Sequence, residues 1–164
     1  TQEILPYLGL GNIALHGGDI KEAEKWFVQA RELQPDHPAV LLAAGRLSAA
    51  QAKAEKNDEE AKKLFEEARQ LLERSRLKGE ESATIFAELG EVYSRLAVWD
   101  KAAEAYEQAL RLRRRRNDWR LALGHAYARL GRIGDAETKY RQVLVLSPDE
   151  ADAAKALESI GRRF

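Results

Sequence analysis

The densest set of chemically capable side chains is the run Arg111, Arg113, Arg114, Arg115 and Arg116. Guanidinium groups stay charged and present planar forks of N–H donors, so five together suit phosphate, an acidic polysaccharide or an acidic protein patch. The same cations also suit a helix C-terminus, where free carbonyls and the negative pole of the dipole gather. Glu104, Glu107 and Asp118 lie close enough in sequence to neutralise part of the run. No aromatic residue alternates with the arginines, so the stacking platform of a nucleic-acid groove is missing, and nucleic acid is not the expected ligand. Anion binding through these arginines stands as the alternative function.

Other constellations are weaker. The histidines are His16, His37 and His125, and none has the H-x-x-x-H spacing that puts two imidazoles on one helical turn. The chain has no Cys, which removes thiolate metal sites and disulfides. Gly9-Leu10-Gly11-Asn12-Ile13-Ala14 fits a dinucleotide fingerprint, with Glu32 at a suitable distance. That fingerprint needs a buried strand before it, and Pro6 with no alternating pattern speaks against one. No nucleophile stands beside a base. The expectation is a non-enzyme without metal or cofactor.

The elements that position these residues are helices. The chain has 164 residues, 33% charged and 45% hydrophobic, with 27 basic and 27 acidic side chains. That composition supports a folded core and excludes a strong field toward nucleic acid or anionic membrane. The longest apolar run, Ala39–Ala44, is far below the ~20 residues that span a bilayer, so membrane insertion is not expected. β-branched residues are sparse and show no period-two pattern.

Three segments align on one register: LGNIALHGGDIKEAEKWFVQA from Leu10, LGEVYSRLAVWDKAAEAYEQA from Leu89 and LGHAYARLGRIGDAETKYRQV from Leu123. Each has Leu-Gly, an Ala twelve residues after the Gly, and an aromatic four residues later: Ala23 and Phe27, Ala102 and Tyr106, Ala136 and Tyr140. A fourth copy starts at Ala44-Gly45 and closes with Ala61, Phe65 and Ala68, sixteen residues separating Gly45 from Ala61. Four extra residues in QAKAEKND amount to one helical turn, so the first helix there is expected to be longer. Asn57 and Glu60 have capping-box spacing; Gly79 and Ser82 mark a helix end and a start. The repeats are thus read as residues 4–37, 38–75, 83–116 and 117–150, with an insertion at 76–82 and a closing helix at 151–164. Trp26 and Trp99 fall on aromatic positions, whereas Trp119 falls off register and is expected at the surface.

This pattern resembles the tetratricopeptide repeat, whose signature joins a large aromatic, Leu-Gly, a Tyr, then Ala, an aromatic, Ala and a closing Pro. Tyr7, Leu10, Gly11, Ala23, Phe27, Ala30 and Pro35 carry it in the first repeat; Phe86, Leu89, Gly90, Tyr93, Ala102, Tyr106 and Ala109 in the third; Leu123, Gly124, Tyr127, Ala136, Tyr140 and Pro148 in the fourth. The third has Arg114 for the Pro, and the fourth has Arg120 for the large aromatic. The resemblance implies an all-α, right-handed superhelical solenoid of antiparallel helix pairs, about nine helices across residues 1–164.

It also implies a protein–protein interaction scaffold or adaptor that holds a partner segment in a concave groove lined by the first helices. Mapped here, the groove comprises Leu5, Leu8, Asn12, Leu15, Leu42, Arg46, Glu88, Glu91, Arg95, His125 and Arg129, with His16 beside them. A chaperone-tail carboxylate clamp is not expected: only Asn12 matches, while Leu8, Ala43, Thr84 and Glu88 hold the other clamp positions. Self-association through the first or last helix is expected from the apolar Ile4, Leu5 and Leu8. Arg exceeds Lys 17 to 10 and Ala is abundant, pointing to a bacterial source, soluble in cytoplasm or periplasm, and to a fragment of a longer protein of envelope assembly, secretion or polysaccharide export.

Overall fold

The computed structural model describes residues 3–79 and 82–161, and among them nine α-helices and no strand. Contacts gather the chain into two compact units, residues 1–81 and 82–164. The first holds α1 (Leu5–His16), α2 (Ile20–Leu33), α3 (Pro38–Ala54) and α4 (Asp58–Lys78); the second holds α5 (Ala83–Arg95), α6 (Trp99–Leu112), α7 (Asn117–Arg129), α8 (Ile133–Leu146) and α9 (Ala151–Gly161). Sequential pairs form the hairpins α1/α2, α3/α4, α5/α6 and α7/α8, and α9 packs on α8.

The repeated small residues set how closely each pair packs. A Cβ on Gly90 would lie 2.9 Å from the Tyr106 ring, and one on Gly124 would lie 2.7 Å from the Tyr140 ring. A Cβ on Gly11 would collide with Phe27. Each glycine is therefore a window through which the ring of the second helix passes. Ala23, Ala30, Ala102, Ala109 and Ala136 are all fully buried, since a larger side chain would push the helices apart.

Caps and turns follow the local chemistry. Asp19, Asn57 and Ser82 accept the amides of Glu22, Glu60 and Ile85 at 3.0, 3.0 and 3.2 Å. The second half of the Asn57 capping box does not form. Glu60 pairs with Lys63 at 3.0 Å, and the Asn57 amide donates to Glu55 instead. Three hairpin turns pass through the left-handed region at Gly18, Ala97 and Gly131, with φ of 81°, 58° and 74°.

The second hairpin corrects the sequence reading of its repeat. The longer first helix is present: α3 has 17 residues where α5 and α7 have 13. The second helix is longer as well, 21 residues in α4 against 14 in α2. Residues 76–78, read as the start of an insertion, continue α4. Gly79 ends that helix with φ of −108°, and its role is spatial, because a Cβ would lie 3.1 Å from Pro38. The buried Ser75 hydroxyl donates to the Pro38 carbonyl at 2.8 Å, and Asp36 receives Arg74 at 2.7 Å and Lys78 at 3.3 Å. The end of α4 is thereby tied to the α2–α3 turn.

Candidate partner-binding surfaces

In the second unit, first helices α5 and α7 flank a cleft of about 350 Å³. Ala87 and Ala122 keep its walls low, Trp119 and Tyr106 give it aromatic surface, and Glu88, Glu91 and Asp118 make it acidic. The Gly90 window is what lets Tyr106 of α6 reach the first-helix side. Burial, then the charge of Glu91, pushes the Tyr106 phenol far above its ordinary range, so it acts as a neutral hydroxyl. Arg116 closes one edge: its guanidinium grips Asp118 through bonds of 2.9 and 2.6 Å and lies 4.1 Å from the centre of the Trp119 ring. That hydrogen bond holds the Asp118 carboxyl below the usual carboxylate range.

A second cleft in this unit, about 270 Å³, is lined by His125 and Arg129 of α7, Tyr140 of α8 and Ile160 of α9. The Tyr140 hydroxyl and His125 Nδ1 share a hydrogen bond of 3.0 Å. Burial raises the Tyr140 phenol and lowers the His125 imidazole, Asp152 opposing the latter in part. Nearby, the buried Tyr127 hydroxyl donates to Glu107 at 2.6 Å, joining α7 to α6, and its pKa is pushed up to about 12.

The structure divides the expected groove residues between the two units. Glu88 and Glu91 enter the α5–α7 cleft, and His125 and Arg129 enter the α7–α9 cleft. Arg95 is exposed and lines neither. Arg129 lies 4.8 Å from the centre of the Trp99 ring. In the first unit Leu5 is exposed, while Leu15, Leu42 and Arg46 are half-buried. Leu8, at 6% exposure, packs in the core with Ile4, Phe27 and Val40. The Asn12 side-chain oxygen is buried without a hydrogen-bond partner among the described residues. His16 Nδ1 lies 2.8 Å from the Asn12 carbonyl.

Three further features lie outside the sequence expectation. Trp119 is only 8% exposed, its ring packed into the wall of the α5–α7 cleft. It takes the α7 position that Ile85 takes in α5, so it is on register as a core residue. The tyrosine hydroxyls of the clefts were hidden because the pattern specifies only an aromatic; the signal was Tyr at 106 and 140 against Phe at 27. A cleft of about 330 Å³ in the first unit lies among α2, α3 and α4, lined by residues such as Arg31, Leu47, Ser48 and Leu71, and contains none of the expected groove residues.

The arginines of the run have different surroundings. Arg111 lies in the last turn of α6, Arg113 caps it, and Arg116 is held by Asp118 and Trp119. The Arg114 carbonyl accepts from Arg120. Arg113, Arg114 and Arg115 are exposed cations in the α6–α7 turn.

Profiles of the tetratricopeptide repeat match residues 3–74 and 87–151. The chain belongs to the tetratricopeptide repeat family. Solved TPR structures share its fold. A thermophilic TPR protein of Thermus thermophilus is 23% identical at a TM-score of 0.74, over 94% of this chain and 79% of that one. YrrB, described as a TPR protein with an unusual peptide-binding site, is 20% identical at 0.77, over 95% and 75%. MamA is 21% identical at 0.78, over 99% and 87%. No curated protein sequence matches significantly. In this TPR chain no group of three metal-ligating side chains occurs among the described residues, and no described helix is long and apolar enough to cross a membrane.

Proposed function

We propose that this TPR chain is a non-enzymatic interaction module that holds a segment of a partner protein against its first helices. The α5–α7 cleft carries the reading, because small walls, aromatic surface and fixed charge meet in one concave place. Ala87 and Ala122 leave room for a side chain, Trp119 and Tyr106 supply apolar contact, and Glu88 with Glu91 favours a neighbouring positive charge. In the first unit, described by itself, the exposed Leu5 and the half-buried Leu15 and Leu42 offer apolar surface on first helices. TPR proteins in general act as protein-binding scaffolds, and the peptide-binding site named for YrrB supports the same class of ligand. We infer further that the module serves bacterial envelope assembly, secretion or polysaccharide export, on the support of its arginine- and alanine-rich composition.

The second reading, anion binding, rests on exposed Arg113, Arg114 and Arg115. One experiment separates the two. A photo-crosslinking residue at position 122 should capture a protein segment, and Ala87→Trp should abolish capture by filling the cleft. Replacing Arg113, Arg114 and Arg115 with Ser should leave capture intact. Loss only in the arginine variant, with steep salt dependence, would move binding to the α6–α7 turn.

A further inference from the structure

We propose that the cleft among α2, α3 and α4 is a second docking site, which takes one face of an amphipathic helix from a partner protein. Its opening traces to one residue. Counted from Gly45, Gly90 and Gly124, Ala44 holds the position of Leu89 and Leu123. Those leucines are 2% and 1% exposed and fill their places in the core. Ala44, which ends at Cβ, is half-buried and lines the cleft with Leu47 and Leu71. The floor is an apolar hollow short of one large side chain.

The charges on the rim are ordered. The end of α4 is tied to the α2–α3 turn through Arg74 on Asp36 and Ser75 on Pro38, so the C-terminal ends of α2 and α4 lie together. On α2 the rim carries Glu24 and Arg31, and on α4 it carries Glu67 and Arg74. Each Glu precedes its Arg by seven residues, which keeps the two on one helical face about 10 Å apart. The cleft therefore has an acidic end and a basic end, with the hollow between them. Asp36 already holds Arg74, so Arg31 is the cation that the basic end offers. Among the described residues no ion pair holds Glu24, Arg31 or Glu67.

This order selects a helix. Residues i, i+4 and i+7 of a helix share one face and span the same distance of about 10 Å. An extended segment covers it in about three residues, which turns its two ends to opposite sides. The helix dipole sets the direction, since acidic side chains are favoured near a helix N-terminus and basic ones near its C-terminus. The partner helix then runs antiparallel to α2 and α4. It places Asp or Glu at i toward Arg31, Leu or Phe at i+3 or i+4 in the hollow, and Lys or Arg at i+7 toward Glu24 and Glu67. The site shares no residue with the α5–α7 cleft.

The probe is a phage-displayed library of helical peptides randomised on one face. Panning on the protein should enrich the order acid, apolar, base at this spacing. A synthetic peptide of the enriched sequence should bind wild type and Ala87→Trp alike, because Ala87 belongs to the other cleft. Ala44→Leu should weaken it by about ten-fold or more, as the hollow is then closed to one buried apolar side chain. That variant restores the side chain the other repeats have, so its circular dichroism and melting temperature should be no lower than wild type. Arg31→Glu, an exposed change, should also weaken the peptide, and replacing the peptide's acid with Lys should restore binding to that variant. Absence of any enriched peptide overturns the proposal. So does a peptide that binds Ala44→Leu as tightly as wild type, one that is lost on Ala87→Trp, or one whose acid and base exchange places without loss.

Discussion

Gly45 stands to Leu72 as Gly11 stands to Phe27: a Cβ on Gly45 would lie 2.8 Å from the Leu72 Cγ. Phe65, the aromatic that sequence spacing suggests, is not the partner. On this pairing Ala68, Leu72 and Ser75, all fully buried, take the places of Ala23, Phe27 and Ala30. The Gly-to-Ala spacing is then 23 residues rather than 12, so the repeat is enlarged by eleven. Eleven residues make three turns at about 3.7 residues each, which returns both helices to their original faces. Residues 76–82 then correspond one for one to Arg31–His37, and Ser82 caps α5 as His37 caps α3.

The pairing is open to a double-mutant cycle. Gly45→Ala forces a methyl against Leu72 and should cost about 1–3 kcal/mol as an overpacked contact. Leu72→Ala should cost about 2–5 kcal/mol, as for other fully buried leucines. Once Leu72 is Ala the crowding is gone, so the Gly45→Ala cost should largely vanish in that background and persist beside Phe65→Ala. Urea denaturation of the three single and two double variants measures this. Equal costs in both backgrounds would refute the register.

Deletion tests the length of the enlargement. Removing 51–54 from α3 and 58–64 from α4 takes out four and seven residues and keeps the Glu55-Lys56-Asn57 turn. That double deletion should still melt cooperatively, with Gly45 over Leu72. Deleting 76–82 should instead abolish cooperative melting of the first unit, because it removes the last turn of α4 and the Gly79 contact with Pro38.

The three evenly spaced repeats were legible because one register serves burial, close approach and turn chemistry at once. Gly90 with Tyr106 and Gly124 with Tyr140 show this. The enlarged repeat was not, because Ala61 and Phe65 imitate the motif two turns early and spacing alone cannot tell one turn from three. Among the site residues, Glu88, Glu91, His125 and Arg129 were placed on the cleft-bearing face by register alone. Leu8 packs in the core because its position faces a neighbouring helix. The bidentate bond of Arg116 to Asp118 was masked by a run of like charges in which only the geometry of the α7 start singles out one arginine.

Ala97 adopts φ of 58° where the corresponding turns have Gly18 and Gly131. A Cβ in this region costs roughly 1–2 kcal/mol, while glycine adds unfolded-state entropy of about 0.4–1 kcal/mol. Ala97→Gly should therefore stabilise the protein by about 0.5–1 kcal/mol, read as a higher urea midpoint at unchanged slope. The reverse change, Gly131→Ala, should destabilise it.

The burial of His125 beside Tyr140 predicts a pH dependence with a fixed sign. Burial depresses the folded His125 pKa below its unfolded value of about 6.5. The unfolded chain binds the proton more readily, so this stability is fully present above about pH 6.5 and is lost as pH falls through the folded pKa. Asp152 on α9 opposes the depression, so Asp152→Asn should deepen it. Thermal melts at pH 8 and pH 5 should show a smaller acid-side loss for His125→Gln than for wild type, and an NMR titration of the imidazole should give a pKa below the model-peptide value. A normal or raised pKa would contradict the geometry.

The acidic lining of the α5–α7 cleft separates ligands by charge. Glu88 stands at a position where chaperone-binding relatives of the fold place a cationic clamp residue, and Glu91 adds a second carboxylate to the same cleft. A C-terminal carboxylate brought there meets like charge in a partly desolvated site, where repulsion is less screened than in water. Acidic chaperone-tail peptides should thus give no heat of binding by calorimetry. Glu88→Lys together with Glu91→Lys should create weak, salt-sensitive affinity for such peptides and weaken capture of a cationic partner segment. Micromolar binding of an acidic tail by the wild type would show that the lining does not select by charge.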